Sequence, residues 1–204
     1  MMSQFLQVNL CDMISQLGEE RTKNILSSFS CPLNPDVEEF LKFKAIEFSK
    51  RDLARVHLVF WQSEEEKELV GYYTLSIKTF EIAKGAVSKT ELKKVSQHGT
   101  YDNYKKLYII PAALIGQLGK NFTLGNDTLI SGQELLQMAI NKVRFLRKEI
   151  GFKYAYLECE DKEKLINFYG DNGFKQFGKR TLDNDETNLD GDYLIQFMRY
   201  MKDE

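Results

Sequence analysis

The sequence predicts a mixed α/β fold in which helices and strands pack as layers of one domain. Segments with helical spacing of apolar residues alternate with short segments rich in β-branched and aromatic residues. No internal repeat or low-complexity linker separates them. The order is helices, a hairpin, a strand, a helix, a strand, a helix and two strands, which is typical of mixed layers rather than separate helical and sheet domains. We expect one domain over residues 1–204, with residues 1–28 as a helical extension.

The amino-terminal half carries two predicted helical regions and a hairpin. Residues 12–28 favour one or two short helices, and residues 36–51 repeat apolar side chains at helical spacing. Residues 57–62 and 69–78 are rich in β-branched and aromatic side chains, which indicates two strands. The acidic segment 63–68 between them is predicted to be the hairpin turn.

The carboxy-terminal half contains the longest predicted helix, residues 132–149, whose apolar residues fall on one face. Before it, residues 91–104 are polar and are expected to form an insertion or a mobile connection. Residues 106–118 contain two apolar segments separated by Pro111. Since each proline is expected where an element begins or ends, we expect an element boundary there. The other predicted elements are a strand at 154–158, a helix at 161–172 and strands at 174–177 and 193–201.

Composition and charge exclude several classes of protein. A chain of 204 residues, 43% of them hydrophobic, can bury a core without disulfides or a structural metal. Its formal charge of -2 gives no global basic field of the kind that marks nucleic-acid binding. Cys11, Cys31 and Cys159 lie far apart and are odd in number, which argues against zinc and disulfide frameworks. With no signal-like start and no run of about 20 apolar residues, we expect a cytoplasmic protein outside the membrane.

Gly132 opens the long helix and is a candidate anion-binding position. A helix amino terminus exposes unpaired N–H groups and carries about half a positive charge. Glycine lets a phosphate approach the backbone closely. The alternative is an ordinary loop glycine beside a core helix, and the residue alone does not decide between them.

Tyr169 is the candidate proton donor. It follows Leu165 and Phe168 on the inner part of a short helix that ends before Gly173 and Phe174. A phenol can protonate a departing thiolate, because both groups have high intrinsic pKa values. The alternative is a core tyrosine whose hydroxyl meets a backbone partner.

Residues 165–177, LINFYGDNGFKQF, resemble the carboxy-terminal motif of GNAT acetyltransferases. The segments IGQLGKN, from Ile115, and ISGQELL, from Ile130, resemble the coenzyme strand and pyrophosphate loop of that family. The resemblance implies a central, mostly antiparallel twisted sheet flanked by helices, with acetyl-CoA as co-substrate and no metal. It also implies that Tyr169 protonates the coenzyme A thiolate, and that the coenzyme-binding residues are Ile115, Gln117, Leu118, Ser131, Gly132, Gln133 and Asn167.

The pyrophosphate loop departs from the usual family pattern, Gln/Arg-x-x-Gly-x-Gly/Ala. Counting back from Gly132 places Asp127 at the first position and Ile130 at the first glycine. Only the last position matches. The sequence therefore predicts a longer or differently shaped loop.

The amino-terminal half resembles the toxin acetyltransferases of toxin–antitoxin pairs. The similarity is carried by FSCPLNPDVEEFLKFKA, VHLVF and LVGYYTLS, with Pro32 where those toxins usually have glycine. The resemblance implies aminoacyl-tRNA as an acceptor. The low pI and the acidic segments 64–68 and 183–192 fit a tRNA-binding surface poorly. Five basic residues could form a local basic face: Lys42, Lys44, Lys50, Arg51 and Arg55. The alternative is that they are an ordinary solvated helix surface.

The expected reaction is direct attack of a primary amine on the acetyl thioester in a ternary complex. Backbone N–H groups around Leu118 would polarise the carbonyl, and Glu158 is the first candidate base, although it could equally be a solvent-facing strand residue. Glu160 and His57 are further candidates. Cys159 is not a proposed nucleophile, since direct transfer needs none.

Three functions stay open for this sequence. The first is N-acetylation of a small-molecule or protein amine. The second is toxin-type acetylation of aminoacyl-tRNA, and the third is a non-catalytic module that binds acyl-CoA, which the irregular loop favours. A homodimer also stays open.

Overall fold

The structure, a computed structural model, describes residues 5–64, 66–183, 189 and 191–202. The helices are α1 (Leu10–Leu17), α2 (Glu19–Ser27), α3 (Pro35–Glu39), α4 (Ala45–Lys50), α5 (Lys89–His98), α6 (Gly132–Ile150) and α7 (Glu163–Asp171). The strands are β1 (Phe5–Asn9), β2 (Arg55–Gln62), β3 (Lys67–Ala83), β4 (Thr100–Asp102), β5 (Leu107–Lys120), β6 (Tyr154–Glu160), β7 (Lys175–Thr181) and β8 (Tyr193–Tyr200). A π-helical turn, Phe40–Lys44, connects α3 to α4.

The chain divides into two compact units. Unit 1 comprises Met1–Ser76 and Ile115–Asn141, and unit 2 comprises Ile77–Leu114 and Lys142–Glu204. Strands β3 and β5 and helix α6 each contribute residues to both units.

Unit 1 packs α1 to α4 against an antiparallel sheet. Strand β1 pairs with β2, and β2 pairs with β3 through the predicted hairpin, of which residue 65 lies outside the described residues. The amphipathic helices bury their apolar faces against the sheet. The core of unit 1 includes Leu10, Leu26, Phe29, Leu41, Leu58 and Tyr72.

Strand β3 fixes the backbone at the end of β5. A Cβ atom at Gly71 would lie 2.8 Å from the carbonyl oxygen of Gly119, so only glycine allows this approach. The next residue, Tyr72, is fully buried and donates its hydroxyl hydrogen to the carbonyl oxygen of Val37 at 2.6 Å. These contacts place the last residues of β5 against the amino-terminal helices.

Unit 2 contains the only parallel strand pair that the described residues form. Residues 112–114 of β5 pair in parallel with residues 154–156 of β6, whereas β6 pairs antiparallel with β8 and β8 with β7. The core beneath them is aromatic, with Phe80 stacked on Tyr156 at a centroid distance of 5.2 Å. The predicted mixed α/β fold with a mostly antiparallel sheet is confirmed.

Several element predictions were wrong. Residues 91–104 are not an irregular insertion, because they form most of α5 and all of β4. Pro111 lies inside β5, between the residues paired with β4 and those paired with β6, so its missing N–H falls where the pairing changes partner. The extension 1–28 is not wholly helical, since β1 precedes α1.

The cysteines are free in the structure. Cys31 and Cys159 are buried, whereas Cys11 is half-buried. Burial raises the pKa of the Cys31 thiol. Burial, with the nearby carboxylates of Glu160 and Asp161, raises that of Cys159 to about 12.

The described part of the chain contains no group of three or more His, Cys, Asp or Glu side chains arranged to hold a metal ion. None of its helices is both long and apolar enough to span a bilayer.

Candidate functional site

The end of β5 presents backbone donors on the edge away from β3. The Gln117 N–H donates to the Thr74 hydroxyl on β3 at 2.8 Å, and the Gln117 side-chain amide donates to Asp36 at 2.9 Å. Because successive N–H groups of a strand point to opposite edges, the Leu118 N–H points away from β3. That orientation fits the predicted role of Leu118 as a backbone donor to a carbonyl oxygen.

The loop after β5 is fixed by two asparagines. The Asn121 side-chain amide donates to the Leu69 carbonyl oxygen at 2.8 Å, and the Asn126 amide donates to Glu68 at 3.2 Å. Between them Leu124 and Gly125 adopt left-handed backbone conformations, with φ of 54° and 80°. The loop therefore follows a path that differs from a simple glycine-rich turn.

The first turn of α6 is closed by a capping box. The Ser131 hydroxyl oxygen accepts the Glu134 N–H at 3.1 Å. The Glu134 carboxylate accepts the Ser131 N–H at 2.8 Å and its hydroxyl hydrogen at 2.7 Å. The N–H groups of Gly132 and Gln133 have no hydrogen-bond partner among the described residues. Two amides of this helix end thus remain available to an anion.

The Glu134 carboxylate brings negative charge to the predicted anion site. Hydrogen bonds from the Ser131 N–H and hydroxyl lower the pKa of Glu134, so the group is ionised at neutral pH. The loop before α6 also has a cation beside it. The Lys120 ammonium at the end of β5 donates to the Asp127 carbonyl oxygen of that loop at 2.7 Å. Sequence reasoning missed both residues, although Ser-x-x-Glu at 131–134 is a recognisable capping-box pattern.

One of the two motif positions that depart from the family pattern, Ile130, is a core residue. Ile130 is 2% exposed and belongs to the buried apolar set of the chain. A buried side chain at this position cannot bring its backbone to a ligand as glycine does. The position that the family pattern gives to glycine is therefore a packing position in this chain.

Tyr169 lies on α7 within an aromatic cluster of unit 2. Its ring contacts Phe168, Phe174 and Phe197 at centroid distances of 5.1, 6.0 and 5.9 Å. Its hydroxyl makes no hydrogen bond to any residue that the structure describes. Burial raises the pKa of Tyr169, so the phenol keeps its proton throughout the neutral range. The ring is fixed while the hydroxyl remains available as a donor.

Glu158 on β6 belongs to a polar network of unit 2 and is not solvent-facing, since its side chain is 9% exposed. The Arg180 Nε lies 3.0 and 2.9 Å from its two carboxylate oxygens. The Tyr156 hydroxyl also donates to it, and the Gln196 amide does so at 3.2 Å. These donors fix the orientation of the carboxylate.

The other predicted residues are held in different ways. Both carboxylate oxygens of Glu160 accept hydrogen bonds from Lys162 at 3.0 Å. His57 is buried and stacked on Tyr73 at 4.9 Å. Asn167 is exposed on α7. The side chain of Ile115 is buried in unit 1.

The predicted basic face of unit 1 is neutralised by ion pairs. Each of its five cations lies within 4 Å of a carboxylate, in the pairs Lys42–Glu38, Lys44–Glu39, Lys50–Glu19, Arg51–Glu47 and Arg55–Asp52. Paired charges contribute little net field to attract a polyanion. The geometry favours the solvated helix surface. Most of the predicted acidic loop 183–192 lies outside the described residues.

Comparison with known proteins gives a structural match at low sequence identity. No family model matches the chain, and no curated protein sequence matches it. The toxin AtaT complexed with acetyl-methionyl-tRNAfMet is 20% identical, with coverage of 94% of this chain and 93% of that one and a TM-score of 0.61. A Tyr-to-Phe mutant of KacT is 21% identical, with coverage of 95% and 94% and a TM-score of 0.61.

A Tyr-to-Phe mutant of AtaT bound to the C-terminus of the antitoxin AtaR and acetyl-CoA is also similar. It is 18% identical, with coverage of 96% of this chain and 94% of that one and a TM-score of 0.56. At such identities the likeness shows the fold, which spans nearly the whole of both chains. The chain therefore has a GNAT-like fold that matches the structures of the AtaT and KacT toxins.

Proposed function

We propose that the chain is an acetyl-CoA-dependent acetyltransferase whose acceptor is the α-amine of an aminoacyl-tRNA. The observation that carries the proposal is the nearly full-length structural match to AtaT in complex with acetyl-methionyl-tRNAfMet. The match to AtaT bound to acetyl-CoA supports the same co-substrate. The proposal thus favours the toxin-type reaction over acetylation of a small-molecule or protein amine.

The proposed chemistry assigns one role to each group. Acetyl-CoA, when bound, supplies the acetyl thioester. The Leu118 N–H donates to the thioester carbonyl oxygen, where negative charge develops as the amine attacks. A C–N bond forms, the C–S bond breaks, and the Tyr169 hydroxyl donates its proton to the departing sulfur. Solvent then returns a proton to Tyr169.

Coenzyme binding is assigned to the donors of unit 1. The available N–H groups of Gly132 and Gln133 can each donate to a phosphate oxygen. The Lys120 ammonium can add a charge-assisted bond by leaving the Asp127 carbonyl. This donor set fits a diphosphate, although Glu134 opposes it.

The amine must lose one proton, and Glu158 is the proposed acceptor. Its hydrogen bonds to Arg180 and Tyr156 fix the carboxylate in one orientation. The amine proton passes to a carboxylate oxygen of Glu158, directly or through water. Glu158 takes this role because it is the first candidate base in the sequence analysis and lies on strand β6 of unit 2.

A second candidate function is acetylation of a small or peptidic amine. The specific observation in its favour is the charge: the chain has a formal charge of -2, and its basic helix face is paired. A tRNA-binding surface normally gathers unpaired Lys and Arg.

The test is an acceptor screen with purified protein and labelled acetyl-CoA. Aminoacyl-tRNAs, free amino acids, polyamines and peptides are compared, and mass spectrometry identifies the acetylated product. We expect acetyl-aminoacyl-tRNA, together with growth arrest on expression that Tyr169→Phe relieves. Acetylation of free amines alone, with no acetyl-aminoacyl-tRNA, would instead support the second function. Coenzyme binding with no product would leave only a non-catalytic module, and no coenzyme binding would overturn the proposal.

Glu134→Gln is expected to tighten acetyl-CoA binding severalfold. The substitution removes a carboxylate hydrogen-bonded at the helix end where the diphosphate is proposed to bind. The amide can still accept the Ser131 N–H, so the loss of stability should stay below about 1 kcal/mol. Calorimetric titration measures the affinity. Glu149→Gln, an exposed change at the far end of the same helix, is the matched control. Equal affinities for the two variants would contradict this placement of the diphosphate.

A further inference from the structure

Asp36, in the first turn of α3, carries a carboxylate to which the proposed reaction assigns no role. Its Oδ2 accepts a hydrogen bond from the side-chain amide of Gln117 at 2.9 Å. Gln117 lies on β5 directly before Leu118, whose N–H is the proposed donor to the thioester carbonyl oxygen. All three residues belong to unit 1. The hydrogen bond therefore places a carboxylate one side-chain length from the strand at which acetyl transfer is proposed.

The first turn of α3 packs directly on β5. Side chains alternate along a strand, so Gln117 and Gly119 face the same side of β5. On that side a Cβ atom at Gly119 would overlap the side chain of Val37, so only glycine allows this approach. The carbonyl oxygen of Val37 also accepts the Tyr72 hydroxyl hydrogen at 2.6 Å. These contacts hold the turn that carries Asp36 in one position on the strand.

Within the described part of the chain, no cation pairs with the Asp36 carboxylate. Its Oδ2 is bonded to a neutral amide, and its Oδ1 accepts no hydrogen bond from the described residues. An amide can orient a carboxylate, but it carries no charge that would neutralise it. Other acids of this helical segment have cations within 4 Å, in the pairs Glu38–Lys42, Glu39–Lys44 and Glu47–Arg51. The half-buried Asp36 thus keeps a negative charge and one oxygen for a cationic ligand.

An acid in the first turn of a helix also stabilises that helix, because the helix amino terminus carries a partial positive charge. This role accounts for an acid at position 36. It does not account for the hydrogen bond to Gln117, which directs the carboxylate towards β5.

We propose that Asp36 binds the ammonium group of the acceptor and so selects primary amines for acetylation. This inference rests on the proposed function, since it assigns the acceptor to the strand where the thioester is proposed to bind. An α-amino group has a pKa of about 7.7–8.0, so most of it is protonated at neutral pH. Oδ1 accepts a charge-assisted hydrogen bond from the ammonium, which is stronger than a bond between neutral groups.

The bound ammonium loses one proton before the amine attacks. That proton passes to the proposed base, and the neutral amine keeps an N–H directed at Oδ1 while its lone pair forms the C–N bond. The acetylated product is a neutral amide and cannot make the charge-assisted bond. Asp36 therefore favours binding of the acceptor over binding of its product.

The test compares two ligands that differ only in the charged group. One is methionyl-tRNAfMet, the unacetylated form of the tRNA in the AtaT complex, and the other carries a hydroxyl in place of the α-amine. Their affinities are measured with coenzyme A present, which permits no acetyl transfer. We expect the unaltered protein to bind the amine at least about tenfold more tightly, and Asp36→Asn to bind both ligands equally. An unchanged preference for the amine in Asp36→Asn would overturn the proposal.

Asp12→Asn is the matched control, because Asp12 is an exposed acid in the first turn of α1. It should keep the full preference for the amine. Asp36→Asn still offers an oxygen to the Gln117 amide, and titration of acetyl-CoA checks that the variant is folded. Equal loss of preference in the two variants would reduce the effect to net charge and refute the site.

A crystal structure of the unaltered protein with coenzyme A and the amine ligand is a second measurement, which needs no variant. The ammonium nitrogen should lie within about 3.2 Å of the Asp36 carboxylate. An ammonium bound by a different group would contradict the assignment.

Failure of the proposed function gives a different result from failure of this inference. If the acceptor screen yields only free amines, methionine methyl ester and its α-hydroxy analogue replace the tRNA ligands, and we expect the same preference. If no amine is acetylated or bound, both proposals fall. If an amine is acetylated but Asp36→Asn keeps the preference of the unaltered protein, only the assignment of Asp36 falls.

Discussion

Tyr169→Phe is expected to lower kcat by about 100-fold and to leave the affinity for acetyl-CoA unchanged. The substitution removes only the hydroxyl, and general acid catalysis typically contributes 10²–10⁴-fold. The ring keeps its contacts with Phe174 and Phe197, so the fold and α7 should be retained. Steady-state kinetics and calorimetric titration of acetyl-CoA measure the two quantities.

The pH profile adds a second check on this residue. Because burial raises the pKa of Tyr169 above the ordinary phenol value of 10.0, the donor remains protonated up to that pH. Loss of the Tyr169 proton should therefore cause no decline in the kcat of the unaltered protein between pH 8 and about 10. Tyr193→Phe, which removes a hydroxyl bound to Asp161, is the matched control. Equal kcat in the unaltered protein and Tyr169→Phe would remove Tyr169 from the reaction.

Gly132→Asp is expected to weaken acetyl-CoA binding by about 10- to 100-fold, or about 1.4–2.8 kcal/mol. The new carboxylate would lie beside the available N–H groups of residues 132 and 133 and repel a diphosphate. An acidic residue in the first turn favours a helix, so the variant should fold. Titration of acetyl-CoA measures the loss.

Gly85→Asp provides the control for added bulk and charge. Gly85 lies in a short 3₁₀ turn, where a Cβ meets nothing within 4 Å. Its affinity for acetyl-CoA should equal that of the unaltered protein. Normal affinity in Gly132→Asp would mean that the diphosphate binds elsewhere in the chain.

The fold could be predicted from the sequence where an element had a strong period or composition. Helix α6 has buried residues at Leu135, Leu136, Ala139, Ile140 and Val143, which is the expected helical stripe. Strand β1 has only five residues and no strong alternation, so its position depends on pairing with β2. Short strands of this kind are set by their partner rather than by their own sequence.

Helix α5 was not predicted, because most of its residues are polar and its buried stripe is short. It buries only Glu91 and Val95, and Glu91 is buried because Lys94 and Lys175 pair with it. Yet Ser88 accepts the Glu91 N–H, the same Ser-x-x-Glu pattern that begins α6. The pattern therefore marks the start of α5 in the sequence as it does that of α6.

The candidate site was only partly accessible to sequence reasoning. Tyr169 and Gly132 could be identified because each belongs to a local motif. The environment of Glu158 could not, since Arg180 and Gln196 reach it only through the pairing of β6 with β8 and of β8 with β7. Such contacts depend on strand register, which no short motif encodes.

The buried thiols make the chain well suited to spectroscopic work. A thiolate is the reactive form of cysteine, and both Cys31 and Cys159 are buried with raised pKa values. Thiol-reactive dyes should therefore report coenzyme A release with little background from the protein, apart from Cys11. Replacing Cys11 with serine would allow one cysteine placed on the surface to carry a fluorophore or spin label.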